Sequence, residues 1–322
     1  MKTDYEDCIK GYSILDKNDL DAIHGSTLDI MGSYGIRVFG DEPQKIFGDA
    51  GCDVDKVTNM VRFPKNLVED CIASAPAEFT MYARDPERSV HVGGKKVTYV
   101  NFSTGVEVRD LYTCEKREST LEDVGNIVRF MDAIDEIDTL ILPVAATDMP
   151  QEMKDIYEAE ALFNNTSKHF EQDMDGKKNS RYFIRMAEAV AGGREALRKR
   201  PIVAMGGCPN SPLELHQDIA EEIIVAAEAG IPMNVLSMGL CGGTTPVTLA
   251  GSILTTNCEV LTGIILGQLV RKGTPMSYGS STSILDMKLA TSPVGAPEHA
   301  MAGAAVAQIG RYYGIPSYVG GT

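Results

Sequence analysis

The spacing of hydrophobic residues near the N-terminus has the period of an α-helix. Apolar side chains recur every three or four residues over Asp19–Tyr34, and Gly35 ends the pattern. A second helix is predicted from Phe63-Pro64 to Ile72, because proline is favoured at the first helical position. Gly93-Gly94 lies between two valine-rich segments, Val90–Val92 and Val97–Val100, and predicts a hairpin. We therefore predict that residues 1–96 form an N-terminal helical cap with a small β-ribbon.

From about Val97 the pattern changes to short apolar segments that alternate with helical ones, roughly every 30–40 residues, as βαβ units require. The predicted strands are Thr98–Phe102, Thr139–Val144, Lys168–Gln172, Ile202–Met205, Met233–Ser237, Met276–Tyr278 and Ser317–Val319. Residues 97–322 are therefore predicted to form a (β/α)8 TIM barrel that lacks its last βα unit. A doubly wound parallel sheet is the alternative, but no Gly-x-Gly-x-x-Gly follows the first strand.

Turn and cap residues support these elements. A helix runs into Gly-x-Pro and then a strand three times, at Gly230, Gly273 and Gly314. Glycine tolerates the left-handed conformation that ends a helix, and a following proline prevents the helix from continuing. Helix starts are predicted at three places with N-cap residues, namely Thr120, Ser211-Pro212 and Thr245-Pro246.

Composition narrows the class of protein. The chain has 322 residues, 43% of them hydrophobic, so it can bury a large core. Its net charge of −15 argues against nucleic-acid and anionic-membrane partners. The seven cysteines include no Cys-x-x-Cys pair, and the charged N-terminus is unlike a signal peptide, so we predict a cytoplasmic protein. The long apolar segment Pro246–Val270 contains three polar interruptions and is predicted to be a buried helix.

Candidate chemistry lies at the carboxyl ends of the predicted strands, where barrel active sites form. The loops there are small, polar and rich in glycine. The five histidines are far apart, so no metal site is predicted. Glu259 is the single charge in the long apolar helix and has two interpretations, a structural hydrogen bond to loop amides or a substrate contact. Tyr278 and Phe102 end strands and could form aromatic walls around an alkylammonium group, although such residues also occur in cores.

Several motifs resemble those of one family. The ten residues from Gly242-Gly243-Thr244-Thr245-Pro246 to Gly251 resemble a signature loop and helix of the trimethylamine methyltransferase family. The segments Asn257–Gly263 and Gly273–Gly279 fit the same family, as does Tyr34–Val38 in the cap. The resemblance covers essentially the whole chain.

The resemblance implies a barrel that moves a methyl group from trimethylamine to the cobalt(I) of a separate corrinoid protein, in methylamine metabolism or methanogenesis. No Asp-x-His-x-x-Gly corrinoid motif is present, so we expect no directly bound cofactor and a cognate corrinoid protein as partner. The resemblance also implies that pyrrolysine follows Thr322 and that the chain was read as ending at its amber codon. We expect the full-length protein to be a homo-oligomer.

The resemblance and the rim positions together supply the candidate residues, while the catalytic residue stays unassigned. Candidate substrate-binding residues are Glu171, Tyr278, Ser280, Phe102 and Glu259. Candidate corrinoid-facing residues are Gly242, Gly243, Thr244, Gly320 and Gly321. Two alternatives stay open, a pyrrolysine-independent methyltransferase for a quaternary amine such as glycine betaine, and a truncated, non-catalytic module that binds a corrinoid protein.

Overall fold

The N-terminal part of the chain consists of three helices and five short strands. A computed structural model describes residues 13–320. The elements in this part are α1 (Lys17–Asp29), β1 (Ile36–Val38), α2 (Asp41–Asp49), β2 (Asp53–Asp55), β3 (Met60–Arg62), α3 (Lys65–Ser74), β4 (Glu78–Met81) and β5 (Val90–Gly93). Helix α1 begins with a capping box formed by Asp16 and Asp19 and ends in a π-helical turn before Gly35. Both predicted helices of this region are confirmed.

The predicted hairpin around Gly93-Gly94 is wrong. Strand β5 pairs antiparallel with β4, which precedes it in the chain, so that Glu78 lies opposite Gly93. Gly93 has a φ of +117° and ends the strand instead of opening a turn into Val97–Val100. The valines after Gly93 do not pair with β5. One of them, Val100, forms a parallel bridge with Thr139.

The remaining residues alternate strands with helices. In chain order the elements are β6 (Glu107–Arg109), β7 (Lys116–Glu118), α4 (Leu121–Asp132), β8 (Leu140–Ile141), α5 (Lys154–Asn165), β9 (Phe170–Glu171), α6 (Gly176–Ala191), α7 (Arg194–Lys199), β10 (Val203–Gly207), β11 (Glu214–Leu215), α8 (Gln217–Ala229), β12 (Met233–Ser237), β13 (Leu240–Cys241), α9 (Leu249–Val270), β14 (Met276–Ser280), β15 (Ser283–Ile284), α10 (Pro297–Tyr313) and β16 (Ser317–Val319).

A curled parallel sheet forms the centre of the molecule. Its six strands lie in the order β8-β9-β10-β12-β14-β16, which follows the chain without reversal. That order is typical of a barrel, because a doubly wound sheet reverses its strand order at a switch point. Six of the seven predicted strands are confirmed. The first, Thr98–Phe102, is reduced to the bridge at Val100, and the chain then forms the exposed β6–β7 hairpin.

Two of the three predicted helix starts are wrong. The Thr120 prediction is confirmed, because its side chain accepts from the Asp123 amide in a capping box. After Ser211-Pro212 the chain first forms β11, which pairs with β1 of the N-terminal part, and α8 begins only at Gln217. Helix α9 begins after Thr248, whose side chain caps the Gly251 amide, so Thr245-Pro246 lies in the preceding loop. Pairing of β11 with β1 therefore delays the start of α8. The start of α9 is delayed because Thr248, and not Thr245, caps that helix.

Helix α9 joins the N-terminal helices to the sheet. It is long and apolar enough to cross a membrane, but 78% of its apolar window is buried inside the protein. Asn257 at its centre donates to Thr27 Oγ1 on α1 at 2.7 Å and to Tyr313 Oη on α10 at 3.0 Å. Tyr278 Oη on β14 donates to Asn257 Oδ1 at 2.6 Å. One buried amide therefore connects three helices and a strand.

We predict that Tyr278→Phe destabilises the protein. The change leaves Asn257 Oδ1 buried without a donor, which should lower the free energy of unfolding by about 1–2 kcal/mol. Urea unfolding followed by circular dichroism measures the effect. Tyr112→Phe removes a hydroxyl from a side chain that is 91% exposed and serves as the control. Equal stability of the two variants would contradict the proposed importance of this bond.

Candidate active site

The strands of the curled sheet present two different faces. Side chains alternate along a strand, so residues two apart share a face. Phe170 packs edge-to-face with Phe163 and Phe183 of the helical layer. A β-carbon on Gly263 of α9 would lie 2.7 Å from Val235, so Val235 also faces the helices. The residues between these helix-facing positions therefore face the hollow of the sheet. The polar residues on that inner face are Glu171, Asn234, Ser277 and Tyr318.

Two carboxylates meet on the inner face above a glycine. Glu171 ends β9, Asp173 follows two residues later, and both extend over Gly206 of the neighbouring strand β10. A β-carbon on residue 206 would lie 2.5 Å from Glu171 Oε1 and closer still to Asp173 Oδ1. Real β-carbons do not approach oxygen so closely, so only glycine leaves room for the pair. We call Glu171 and Asp173 the inner carboxylates.

Asn234 lies beside this pair. It is directly opposite Gly206 in the pairing of β10 with β12, and its Nδ2 donates to Glu171 Oε1 at 3.3 Å. Its Oδ1 is buried and accepts no hydrogen bond. Asn234 is 4% exposed, so water cannot readily satisfy this oxygen.

Burial shifts the titration of this group of side chains. It raises the pKa of Glu171 to about 8, the charge of Asp173 adds to the shift, and the Asn234 bond opposes it. The pKa of Asp173 is raised by desolvation as well, although its carboxylate is exposed at the rim. Because Asp173 contacts water, we assign the larger effect to Glu171. Burial and then the nearby Asp173 charge raise the pKa of Glu222 on α8, which is 1% exposed.

Two further side chains share the same surroundings. Burial raises the pKa of Cys208, just after β10, to about 12, and the charges of Asp173 and Glu171 add to the shift. The pKa of Tyr318 on β16 is raised by burial and by the same two charges. Cys208 is therefore a thiol and not a reactive thiolate. Tyr318 remains a neutral phenol that can donate or accept a hydrogen bond.

The site has more hydrogen-bond acceptors than donors. Three buried side-chain oxygens around the inner carboxylates have no partner, namely Gln172 Oε1, Glu222 Oε2 and Asn234 Oδ1. A buried acceptor without a donor is costly. Protons held on the carboxyl groups relieve part of this cost, and a cation that carries an N–H group would relieve a further part.

A cavity of about 380 Å³ opens beside the inner carboxylates. It lies between the ends of β8 and β9 and the start of α5. Its lining consists of Ser103, Thr104, Ile141, Leu142, Gln151, Lys154, Asp155, Glu158, Gln172, Asp173, Met174 and Asp175. Asp173 therefore borders both the hollow of the sheet and this cavity, which we call the side cavity.

Tyr278 and Ser280 do not line the hollow, contrary to prediction. Met276, Tyr278 and Ser280 are two residues apart on β14 and therefore share one face of the strand. Met276 lies against Gly267 of α9, so this face is directed toward the helices. Tyr278 is 2% exposed and bonded to Asn257 in the helical layer. Ser280 Oγ pairs with Thr282 Oγ1 at 2.7 Å. The sequence prediction for β14 assigned its side chains to the two faces one residue out of step with the structure. An error of one residue places every side chain of a strand on the wrong face.

Glu259 and Phe102 also lie apart from the inner carboxylates. Glu259 is fully buried and accepts from Ser211 Oγ, Ser237 Oγ and the Leu213 amide. These bonds fit the structural interpretation of Glu259, and its substrate role stays a prediction. Burial raises its pKa to about 7, and these three bonds oppose the shift. Phe102 is 72% exposed, so it does not form an aromatic wall with the buried Tyr278.

The predicted corrinoid-facing residues lie on exposed loops. Gly242, Gly243 and Thr244 are exposed, and Thr244 Oγ1 accepts from the Leu240 amide at 3.0 Å. Gly320 follows β16 and donates its amide to Ser280 O at 3.1 Å. A β-carbon on residue 320 would lie 3.2 Å from the ring of His299, so a side chain there would be crowded. Gly321 lies outside the described residues.

The sequence prediction missed most of the residues around Glu171. Asp173 could have been found, because a carboxylate two residues after Glu171 shares its face. Asn234 and Tyr318 are single polar positions inside apolar strands, which is a weaker signal. Glu222 comes from a helix, and strand-end reasoning does not reach it. Within residues 13–320 no group of three or more His, Cys, Asp or Glu side chains is placed to hold a metal.

We predict that Glu171→Gln changes the pH dependence of stability. The folded protein holds the Glu171 proton up to about pH 8, whereas the unfolded chain releases it near the ordinary value of 4.5. Unfolding therefore releases a proton between these values, and the free energy of unfolding falls as pH rises through that window. The variant should remove up to about 1.4 kcal/mol of this fall per pH unit.

Urea unfolding at pH 5, 6, 7 and 8 measures the slope. Glu160→Gln, which changes an exposed glutamate on α5, serves as the matched control. Parallel curves for Glu171→Gln and the parent protein would show that the carboxyl is not held protonated in the folded state.

Comparisons with known proteins agree with this architecture. The chain is 45% identical over 315 residues to the trimethylamine methyltransferase MttB of Desulfitobacterium hafniense, covering 97% of this chain and 64% of that protein. It is 40% identical to MttB of Methanosarcina barkeri, covering 95% of the chain and 63% of that protein. The chain therefore spans less than two thirds of the length of these relatives. A glycine betaine methyltransferase of D. hafniense is more distant, at 30% identity over 96% of this chain and 64% of its own length.

The fold is similar to that of a solved methylamine methyltransferase. The structure of an MtmB complex with hydroxylamine matches with a TM-score of 0.58 at 12% identity, covering 98% of this chain and 70% of that one. The sequence model of the trimethylamine methyltransferase (MTTB) family matches residues 2–322. The chain therefore belongs to the trimethylamine methyltransferase family.

Proposed function

We propose that this protein transfers a methyl group from trimethylamine to the cobalt(I) of a corrinoid carried by a partner protein. The observation that carries the proposal is the surplus of acceptors around Glu171 and Asp173 in a member of this family. Trimethylamine is a cation at neutral pH and carries one N–H donor and three methyl groups. The inner carboxylates supply an acceptor and a compensating charge for that ion.

The proposed reaction needs a proton on nitrogen more than it needs a base. The carbon–nitrogen bond breaks, its electron pair stays on nitrogen, and the electron pair of cobalt(I) forms the new bond to carbon. A nitrogen that left without a proton would be a very poor leaving group, but trimethylammonium leaves as neutral dimethylamine. Glu171, with its raised pKa, can keep or return that proton near neutral pH. The inner carboxylates thus orient the ion and maintain its protonation.

Exposed apolar residues support a protein partner at the rim. The parallel pairing of β13 with β15 brings two loops together beyond the end of β12. Four large apolar side chains are exposed on these loops or next to them, namely Met238, Val247, Met287 and Leu289. Gly242, Gly243 and Thr244 lie between the first two. Exposed apolar groups beside small loop residues suit a surface that a partner covers. We propose that the corrinoid protein binds there.

Further parts of the proposal follow from the family. We propose that the curled sheet is part of a complete (β/α)8 barrel, that the protein acts in the cytoplasm in methylamine metabolism or methanogenesis, and that it is a homo-oligomer. Pyrrolysine after Thr322 stays a prediction, and the gene tests it directly. An in-frame TAG codon followed by a continuing reading frame is expected, and any other codon at that position would exclude it.

Trimethylamine is favoured over a quaternary amine by the acceptor surplus. A quaternary ammonium ion has no N–H, so it would leave Asn234 Oδ1 unsatisfied. The quaternary-amine alternative therefore predicts turnover of glycine betaine, whereas the present proposal predicts turnover of trimethylamine. A non-catalytic binding module predicts neither.

The test is methyl transfer measured with the complete natural protein and its reduced corrinoid partner. We expect trimethylamine to give the absorbance change of cobalt methylation and glycine betaine to give none.

Gly206→Ala should lower kcat/KM for trimethylamine by roughly 100-fold, because the new β-carbon displaces both inner carboxylates. Gly48→Ala is the matched control, since its β-carbon would make only an ordinary 3.7 Å contact. Activity on glycine betaine alone would refute the choice of substrate, and inactivity with every amine would refute the enzyme.

A further inference from the structure

The side cavity next to β9 has a lining that the methyl-transfer step does not use. Four of its lining residues are acidic, namely Asp155, Glu158, Asp173 and Asp175, and Lys154 is the one basic side chain on it. Glu158 is 2% exposed, and burial raises its pKa. The lining thus favours a cation, because Lys154 offsets only part of the acidic charge.

Gln172 provides an independent indication of a ligand. This side chain is 1% exposed and lines the cavity. Its side-chain amide bonds to the Glu158 carboxyl, and its NH2 is not among the buried groups that lack a partner. The other end of the amide, Oε1, has no donor. A buried amide with its oxygen left free in a cavity indicates a donor that the protein itself does not supply.

The other acceptors on the lining differ in availability. Asp155 is occupied, because it accepts from Asn179 Nδ2 at 2.9 Å and from the Asp175 amide at 2.8 Å. Asp173 and Asp175 are exposed toward the opening. A ligand in the cavity would therefore meet Gln172 Oε1 on the buried side and two carboxylates on the open side. That arrangement suits an ion with at least two N–H donors.

We propose that the side cavity binds the demethylated product of the reaction, a small secondary ammonium ion. The inference rests on the methyl transfer proposed above. Demethylation leaves neutral dimethylamine, which takes up a proton from water at neutral pH, so the product ion has two N–H donors where trimethylammonium has one. A cavity with one buried, unpaired acceptor and two carboxylates at its opening discriminates by donor number, because an unpaired buried acceptor is costly.

Asp173 connects the two places. It lies over Gly206 with Glu171 on the inner face, and it also borders the side cavity. An ammonium ion can therefore keep one hydrogen bond to Asp173 while it moves from the inner carboxylates to Gln172. The product would leave sideways past the ends of β8 and β9, so release would not require the corrinoid partner to leave the rim.

The experiment is a binding titration without the corrinoid partner. Met174 is 4% exposed and lines the side cavity, so its methyl group reports ligands there. The complete natural protein, labelled with 13C at the methionine methyl groups, is titrated with the chlorides of dimethylammonium, trimethylammonium and tetramethylammonium. We expect the Met174 signal to respond most tightly to dimethylammonium, about tenfold more weakly to trimethylammonium and not at all to tetramethylammonium.

Two variants link the response to the cavity. Asp175→Asn removes one exposed charge and should weaken dimethylammonium binding about fivefold. Gln172→Met keeps the side-chain length but removes the free oxygen, and should weaken it about tenfold. Asp135→Asn is the matched control, an exposed aspartate in the turn after α4, and should leave the affinity unchanged. The methyl spectrum of each variant verifies that it is folded.

The outcomes separate this inference from the proposed function. Equal responses of Met174 to dimethylammonium and tetramethylammonium would overturn the product site, as would unchanged affinity in both cavity variants. Methyl transfer without any Met174 response would overturn the product site and leave the proposed function intact. A selective Met174 response in a protein that transfers no methyl group would support the cavity as an ammonium site and overturn the enzyme.

Discussion

The close approach of two carboxylates to the bare backbone of Gly206 is the constraint on which the site depends. Parallel strands lie only about 4.8 Å apart, so side chains on the inner face compete for the same space. The absence of a side chain at residue 206 lets Glu171 and Asp173 occupy one spot. Desolvation at this place disfavours ionisation and the nearby charge of Asp173 adds to the effect, which is why the pKa of Glu171 is raised. Geometry and electrostatics at the site therefore have one cause.

Buried polar groups in this protein differ in how fully their hydrogen bonds are satisfied. In the helical layer, Asn257 and Glu259 of α9 are each satisfied by three bonds to several elements, and they hold those elements together. By contrast, Asn234 Oδ1 on the inner face, Gln172 Oε1 on the side cavity and Glu222 Oε2 on α8 lack donors. Satisfied buried groups stabilise a fold, whereas unsatisfied ones mark the places where a ligand is expected. This contrast distinguishes buried groups that stabilise the fold from those that are expected to contact a ligand.

The errors of sequence interpretation have specific physical causes. Ser211 carries every local signal of a helix start, yet its hydroxyl donates to Glu259 and the next residues pair with β1. Tyr278 ends an apolar strand as a pocket aromatic would, but its hydroxyl is taken by Asn257. The valines after Gly93 resemble a hairpin strand, yet β4 had already paired with β5. In each case a partner distant in sequence outweighed the local preference.

Local chemistry along the chain was enough to determine the parallel strands, their alternation with helices, the Thr120 cap and the buried nature of α9. Those features depend on hydrophobic period and on the backbone preferences of glycine and proline, which act between near neighbours. The tertiary structure alone decided which face each strand residue occupies and which polar groups meet. Glu171 of β9, Gly206 of β10 and Asn234 of β12 come together only when the strands pair in register, because a shift of one residue would turn each side chain to the opposite face.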